Sequence, residues 1–191
     1  MKLPLLKSIF KGLPIGIIAT LNNHLTDKTM EKIKIEIKWA LIFIGMSLLW
    51  MVLEKMLGLH STHIDKHMYL TNLFAIPAIL VYVLALKDKK KNYYNGDMSY
   101  KQGFLSGLII TLIVTLFAPL TQWITSTIIT PEYFPNVIAH SVETGYHNSL
   151  EEAEAYFNLK NYILQSTIGA LIMGVVTSAI VALFVRTRSK G

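Results

Sequence analysis

Apolar residues in this chain come in long blocks, with little of the helical or strand periodicity of a half-buried element. Four blocks of roughly 20 residues, the length a helix needs to cross about 30 Å of hydrocarbon, fall at 39–59, 68–86, 103–124 and 162–185. They predict an all-α membrane protein with four transmembrane helices. Glu54 and Lys55 lie one turn before the end of the first span, where long side chains reach the headgroups. Pro77 removes a backbone donor from the second span and is expected to kink it, leaving a carbonyl for Thr71, Asn72 or a neighbouring helix. Pro119 stands near the end of the third. Membrane helices tolerate both prolines, so neither marks a function.

Composition agrees with the pattern: 52% hydrophobic residues, 16% charged residues and a mean hydropathy of +0.45 are too apolar for an ordinary soluble domain. Charge then orients the spans. Of 18 Lys and Arg residues, only Lys55, Lys66 and Lys160 fall in the first and third connections. Lysine-rich flanks stay in the cytoplasm, so both termini and the Lys87–Lys101 connection are expected on the cytoplasmic side. That side carries 15 basic and 5 acidic residues, net +10, and the other carries 3 and 7, net −4. The basic pI near 9.4 therefore reflects topology and implies no nucleic-acid partner. Lys87, Lys89, Lys90 and Lys91 form a cluster that could contact anionic lipid or simply flank the span.

Residues 1–29 are interrupted by Lys7, Lys11, Pro4 and Pro14. They are expected to lie at the interface, or upstream of a start at Met30, leaving residues 30–191 as one four-helix domain. A cleaved leader is disfavoured, since no A-x-A-like site is present. The EKIKIEIK stretch at 31–38 alternates like a strand but reads as the cytoplasmic end of the first helix, because a lone strand would leave its edges unpaired. The long outer connection between the third and fourth spans is expected to be partly helical. Thr130-Pro131-Glu132 opens one helix, and the capping box Ser149-x-x-Glu152 opens a run that could continue unbroken into the fourth span as an acidic stalk.

Candidate chemistry concentrates in histidine. Five of the six, His60, His63, His67, His140 and His147, lie in the two outer connections. On a helix His60, His63 and His67 share a face, and His140, Glu143 and His147 repeat that spacing. With Asp65 as a further ligand or supporting partner, these groups could hold a divalent transition metal. Alternatively they cap helices, or act as a proton-linked switch. With no cysteine, thiolate metal sites, disulfides and cysteine nucleophiles are excluded. No span centre carries an ionisable residue, which disfavours a coupled ion pump, and no HExxH, phosphate-cradling glycine loop or inverted half-repeat is present. Small residues recur every four positions at Ser166, Ala170, Gly174, Ser178 and Ala182, and at Gly103, Gly107, Thr111 and Thr115. Such stripes pack helices within one bundle or form a homodimer seam.

The phrases LEKMLGLH, TNLFAIPAIL and TPEYFPN, within longer matching runs from Met30 to Arg186, resemble the bacterial membrane proteins grouped as the domain of unknown function 4199 family. The resemblance implies a small multi-span inner-membrane protein of unassigned function and brings no catalytic residues with it. Residues 1–29 fall outside it, which favours the later start. Three classes of function remain open: a non-enzymatic accessory or self-associating component with a membrane-protein partner, a metal-binding or metal-dependent protein using the outer histidines, and a small transporter.

Overall fold

In the computed structural model, residues 15–188 are described, with side chains from Met30 onward. The chain divides into two compact units, 1–34 and 35–191. Residues 1–14, the start of the segment expected at the interface, lie outside the described residues. Every regular element is helical: α1 (Ile15–Met56), α2 (Ile64–Leu70), α3 (Ala75–Asn92), α4 (Tyr100–Ile124), α5 (Tyr133–Glu143), α6 (Leu150–Tyr156) and α7 (Leu159–Val185). The 31–38 stretch is helical, as its sequence context required. Four helical stretches are long and apolar enough to cross a membrane: Met30–Met56, Ile64–Asn92, Tyr100–Ile129 and Leu159–Val185. Their outward side chains are large and apolar, among them Leu49, Leu116 and Phe184, as expected of helices solvated by lipid.

The helix ends follow local chemistry and differ from the expected bounds. α1 stops at Met56 because Gly58, at φ +73°, closes a Schellman turn: Leu59 N–H donates to Glu54 O at 3.0 Å and Gly58 N–H to Lys55 O at 2.9 Å. A Cβ on Gly58 would lie 2.5 Å from Thr62 Oγ1, so only glycine fits this reversal. The second span is assembled from α2, a 3₁₀ turn at Thr71–Phe74 and α3. The chain tightens just before Pro77, and Asn72 Nδ2 donates to Met68 O at 2.8 Å. Ser99 opens α4 three residues before the expected start with a capping box completed by Gln102. α4 runs into a π turn at Thr125–Ile129. α5 begins at Tyr133, after Thr130 has been spent closing that π turn by donating from Oγ1 to Thr125 O at 3.2 Å.

No unbroken stalk precedes the fourth span. Ser149 does cap α6, accepting from Glu152 N–H. α6 then ends at Phe157, and the extended residue Asn158 (φ −144°, ψ 162°) starts α7 afresh by accepting from Asn161 N–H at 3.0 Å.

α4 and α7 pack antiparallel at very short range. Positions for a Cβ on Gly103, Gly107 and Gly174 fall against Ala182, Ser178 and Thr111 respectively, so each step of four along α4 meets a step of four back along α7. Thr111 joins three helices. Tyr82 of α3 bonds its Oγ1 at 2.9 Å, and that hydroxyl donates in turn to Gly107 O at 3.0 Å. Beside this seam Ala40, Ala85, Leu86, Met98, Ile110 and Val181 form the apolar core. At the α3–α4 turn, Lys90 donates to Val185 O at 2.9 Å, and Thr187 exchanges hydrogen bonds with Met98, tying the end of α7 to the turn.

A candidate metal centre at the end of the first span

The reversal at Gly58 carries the chain back over the last turn of α1. His60 Nε2 thereby reaches Glu54 Oε2 at 3.1 Å, and His67, from α2, brings its own Nε2 to the same oxygen at 3.5 Å. Glu54 and His60 are 1% and 3% exposed, so this carboxylate is enclosed by protein. Its nearness to the span end mattered less than the turn that folds over it. The other carboxylate oxygen accepts from Trp50 Nε1 at 2.5 Å, and Thr71 lies within hydrogen-bonding reach of the same group. Imidazole, imidazole and carboxylate thus converge on one point, with one donor atom of each within 4.8 Å of the others.

α5 roofs the cluster. The Tyr133 ring lies 5.3 Å from that of His60 and 5.1 Å from that of His67, and Asn136 Nδ2 donates to His60 O at 2.9 Å. Tyr133 hydroxyl meets Tyr162 hydroxyl at 3.2 Å. Lys55, one residue beyond Glu54, turns outward to Ile129 O at 2.5 Å, with Glu132 3.6 Å away. The first and third connections are therefore joined through Tyr133, Asn136 and Lys55. His60 Nδ1 is buried with no hydrogen-bond partner among the described residues.

Burial pushes the Tyr133 phenol above its ordinary range; the bond from Tyr162 opposes the shift, and the Glu54 charge adds to it. The folded state therefore holds this proton more tightly than the unfolded chain does. Stability is full below about pH 10, the unfolded tyrosine value, and falls as the pH rises through the higher folded value. A Tyr133→Phe variant is expected to show a shallower alkaline loss of stability in detergent. An alkaline limb identical to wild type would place the ionising group elsewhere.

The remaining sequence candidates are dispersed. His60, His63 and His67 do not share one helix face, since α2 starts only at Ile64, and His63 Nδ1 contacts Leu57 O at 3.1 Å. Asp65 and Glu143 are exposed. His140 sits on α5, and His147 follows the turn at Gly145, packed against the rings of Tyr146, Tyr156 and Phe157. Among the described residues, the grouping that could hold a metal consists of Glu54, His60 and His67. Sequence reasoning passed over Glu54; the glycine just past the span, which ends helices by this turn, was the signal that could have found it.

At the opposite end of the bundle the basic cluster divides. Lys87 and Lys91 are exposed. Lys89 is buried against Glu36, and Lys90 is committed to Val185 O. Of the small-residue stripes, Gly103, Gly107, Thr111, Gly174, Ser178 and Ala182 meet within the chain, as described above. Ser166 and Ala170 border a cavity, and Thr115 Oγ1 is buried without a partner among the described residues.

No curated protein and no solved structure matches the chain. The model of the family described as protein of unknown function (DUF4199) matches residues 38–187, and the chain belongs to that family.

Proposed function

We infer that this is a metal-binding membrane protein, holding a divalent transition ion on Glu54, His60 and His67. The observation that carries the reading is spacing. Tetrahedral ligands about 2.0–2.1 Å from an ion stand roughly 3.3 Å apart, and Glu54 Oε2 lies 3.1 and 3.5 Å from the two imidazole nitrogens. Two histidines and one carboxylate suit zinc or ferrous iron and leave coordination positions for water or substrate. Trp50, bonded to the second carboxylate oxygen, would fix the ligand's orientation, a role whose loss costs about 10–100-fold in affinity. The family resemblance implies a bacterial inner membrane, and the lysine asymmetry supports cytoplasmic termini, which would set the metal centre at the outer end of the bundle.

The test is metal content by mass spectrometry on protein without a polyhistidine tag, extracted in mild detergent without chelator. Wild type is expected to carry about one ion per chain, the ratio a single three-ligand site implies. A His60→Ala/His67→Ala variant should lose it, and a His63→Ala/His140→Ala variant should keep it. Wild type that stays empty after incubation with Zn²⁺ or Fe²⁺ would defeat the reading. It would return attention to a self-associating or accessory component, for which stable co-purification of a partner is the measurement.

A further inference from the structure

A cavity of about 480 Å³ lies among the four spans, at the end of the bundle nearer α2 and α5. That is within the roughly 300–1,000 Å³ of sites that hold small ligands. Its walls belong only to helical segments long and apolar enough to cross a membrane. Along α7 the lining runs from Ser166 to Thr177, which at 1.5 Å per residue is about 16 Å. This is half of the roughly 30 Å hydrocarbon thickness, the depth of one leaflet.

The lining is also graded. Phe43, Val114 and Met173 face the deep part, while Asn72, Gln122 and Thr125 gather at the end where the spans approach the loops. Tyr82 and Thr177 are the polar side chains toward the deep end, and the Tyr82 hydroxyl is engaged by Thr111. A mostly apolar slot about one leaflet deep, with amide and hydroxyl side chains gathered at its mouth, fits a hydrocarbon chain whose ester and glycerol groups are held at the mouth.

We propose that this cavity is a phospholipid-binding site that takes one acyl chain from the adjacent leaflet. It is independent of the metal reading, because different residues form it and a different quantity reports it.

Two glycines supply the test. A Cβ on Gly169, which lines the cavity, and one on Gly45, which does not, would each meet nothing within 4 Å. Gly169→Leu therefore adds bulk at the cavity wall and Gly45→Leu adds it on α1 outside the lining, each starting from a Cβ that meets nothing within 4 Å. Each protein is reconstituted into palmitoyl-oleoyl phosphatidylcholine vesicles, re-extracted in mild detergent, washed exhaustively and assayed for phosphorus. Wild type and Gly45→Leu are expected to retain about one phospholipid per chain, as one site of this size allows, with retention in Gly169→Leu severalfold lower. Equal retention in all three, or none in wild type, would overturn the proposal. So would a phosphorus-free fatty acid or isoprenoid that Gly169→Leu displaces, since that would be a different occupant. Metal content is measured on the same samples, so loss of one ligand is read separately from loss of the other.

Discussion

Replacing Lys89 by Met is expected to cost about 3–5 kcal/mol of stability, the range seen when one partner of a buried ion pair is removed. Lys89 and Glu36 side chains are only 4% and 2% exposed, with Nζ 2.9 Å from Oε1. Ser106 donates to that same oxygen at 2.7 Å, and the ammonium lies 3.8 Å from the Tyr93 ring centre. Removing the cation strands the carboxylate among α1, α3 and α4, where the residue as a whole is 1% exposed. The loss should be repaired by removing the anion as well: Lys89→Met with Glu36→Leu is expected to return to within about 1 kcal/mol of wild type, because a matched apolar pair replaces a matched ionic one. Lys38, paired with Asp88 nearby but 53% exposed, supplies the contrast. Lys38→Met should change stability by at most about 1 kcal/mol. Thermal unfolding in detergent measures all three, and a Lys89 variant no weaker than the Lys38 variant would mean that the buried carboxylate is neutralised some other way.

The second large effect is steric and falls on the α4–α7 seam. A Cβ on Gly107 would lie 2.6–3.2 Å from Oγ, Cβ and Cα of Ser178, and one on Gly174 would lie 2.4 Å from Thr111 Cγ2. The Ser178 backbone cannot yield as a flexible side chain would. Gly107→Ala is therefore expected to cost about 1–3 kcal/mol by overpacking, although the same change at an open helical position gains up to about 1 kcal/mol from propensity. Gly45→Ala, where the added carbon meets nothing, supplies that opposite sign. Gly174→Leu should be worse than Gly107→Ala, because it forces Thr111 from its bonds with Tyr82 and the Gly107 carbonyl. If Gly107→Ala melts at or above the wild-type temperature, the close approach of α4 and α7 is wrong. Pairing it with Ser178→Gly should recover most of the loss.

The four spans were legible because bilayer thickness imposes a length on every apolar block, and few other constraints act on sequence so directly. Their ends were legible in principle but depend on single residues. Ser99-x-x-Gln102 spells a capping box and Asn158 a cap, yet both are submerged in a scan for apolar length. The expected stalk failed at Asn158 for that reason: hydrophobic continuity cannot register one extended residue. At the candidate site, two of the histidines singled out, His60 and His67, lie together against Glu54. The helical-face rule then misled, because it presumes a helix through residues 60–67 whereas the chain turns at Gly58 and begins α2 at Ile64. Glu54 was discounted because position near a span end says nothing of what folds over it. The pairing of Glu36 with Lys89, and the roof that Tyr133 makes over the histidines, join residues more than fifty positions apart. Such contacts are properties of the packed bundle, which periodicity and spacing do not encode.

The Glu36–Lys89–Ser106 triad also constrains how the protein is built. Its three members stand on the first three membrane-length helical stretches, and a charge left unmatched inside a packed bundle is expensive. As the nascent chain emerges, the first span carries an anion whose counter-ion has yet to be synthesised. The hairpin of the first two spans is therefore the smallest piece that can pack with this charge neutralised, and the third span adds the Ser106 hydroxyl. Biogenesis should proceed by pairwise entry of spans: truncation after residue 60 should leave a segment that is poorly retained, and truncation after residue 95 one that stays.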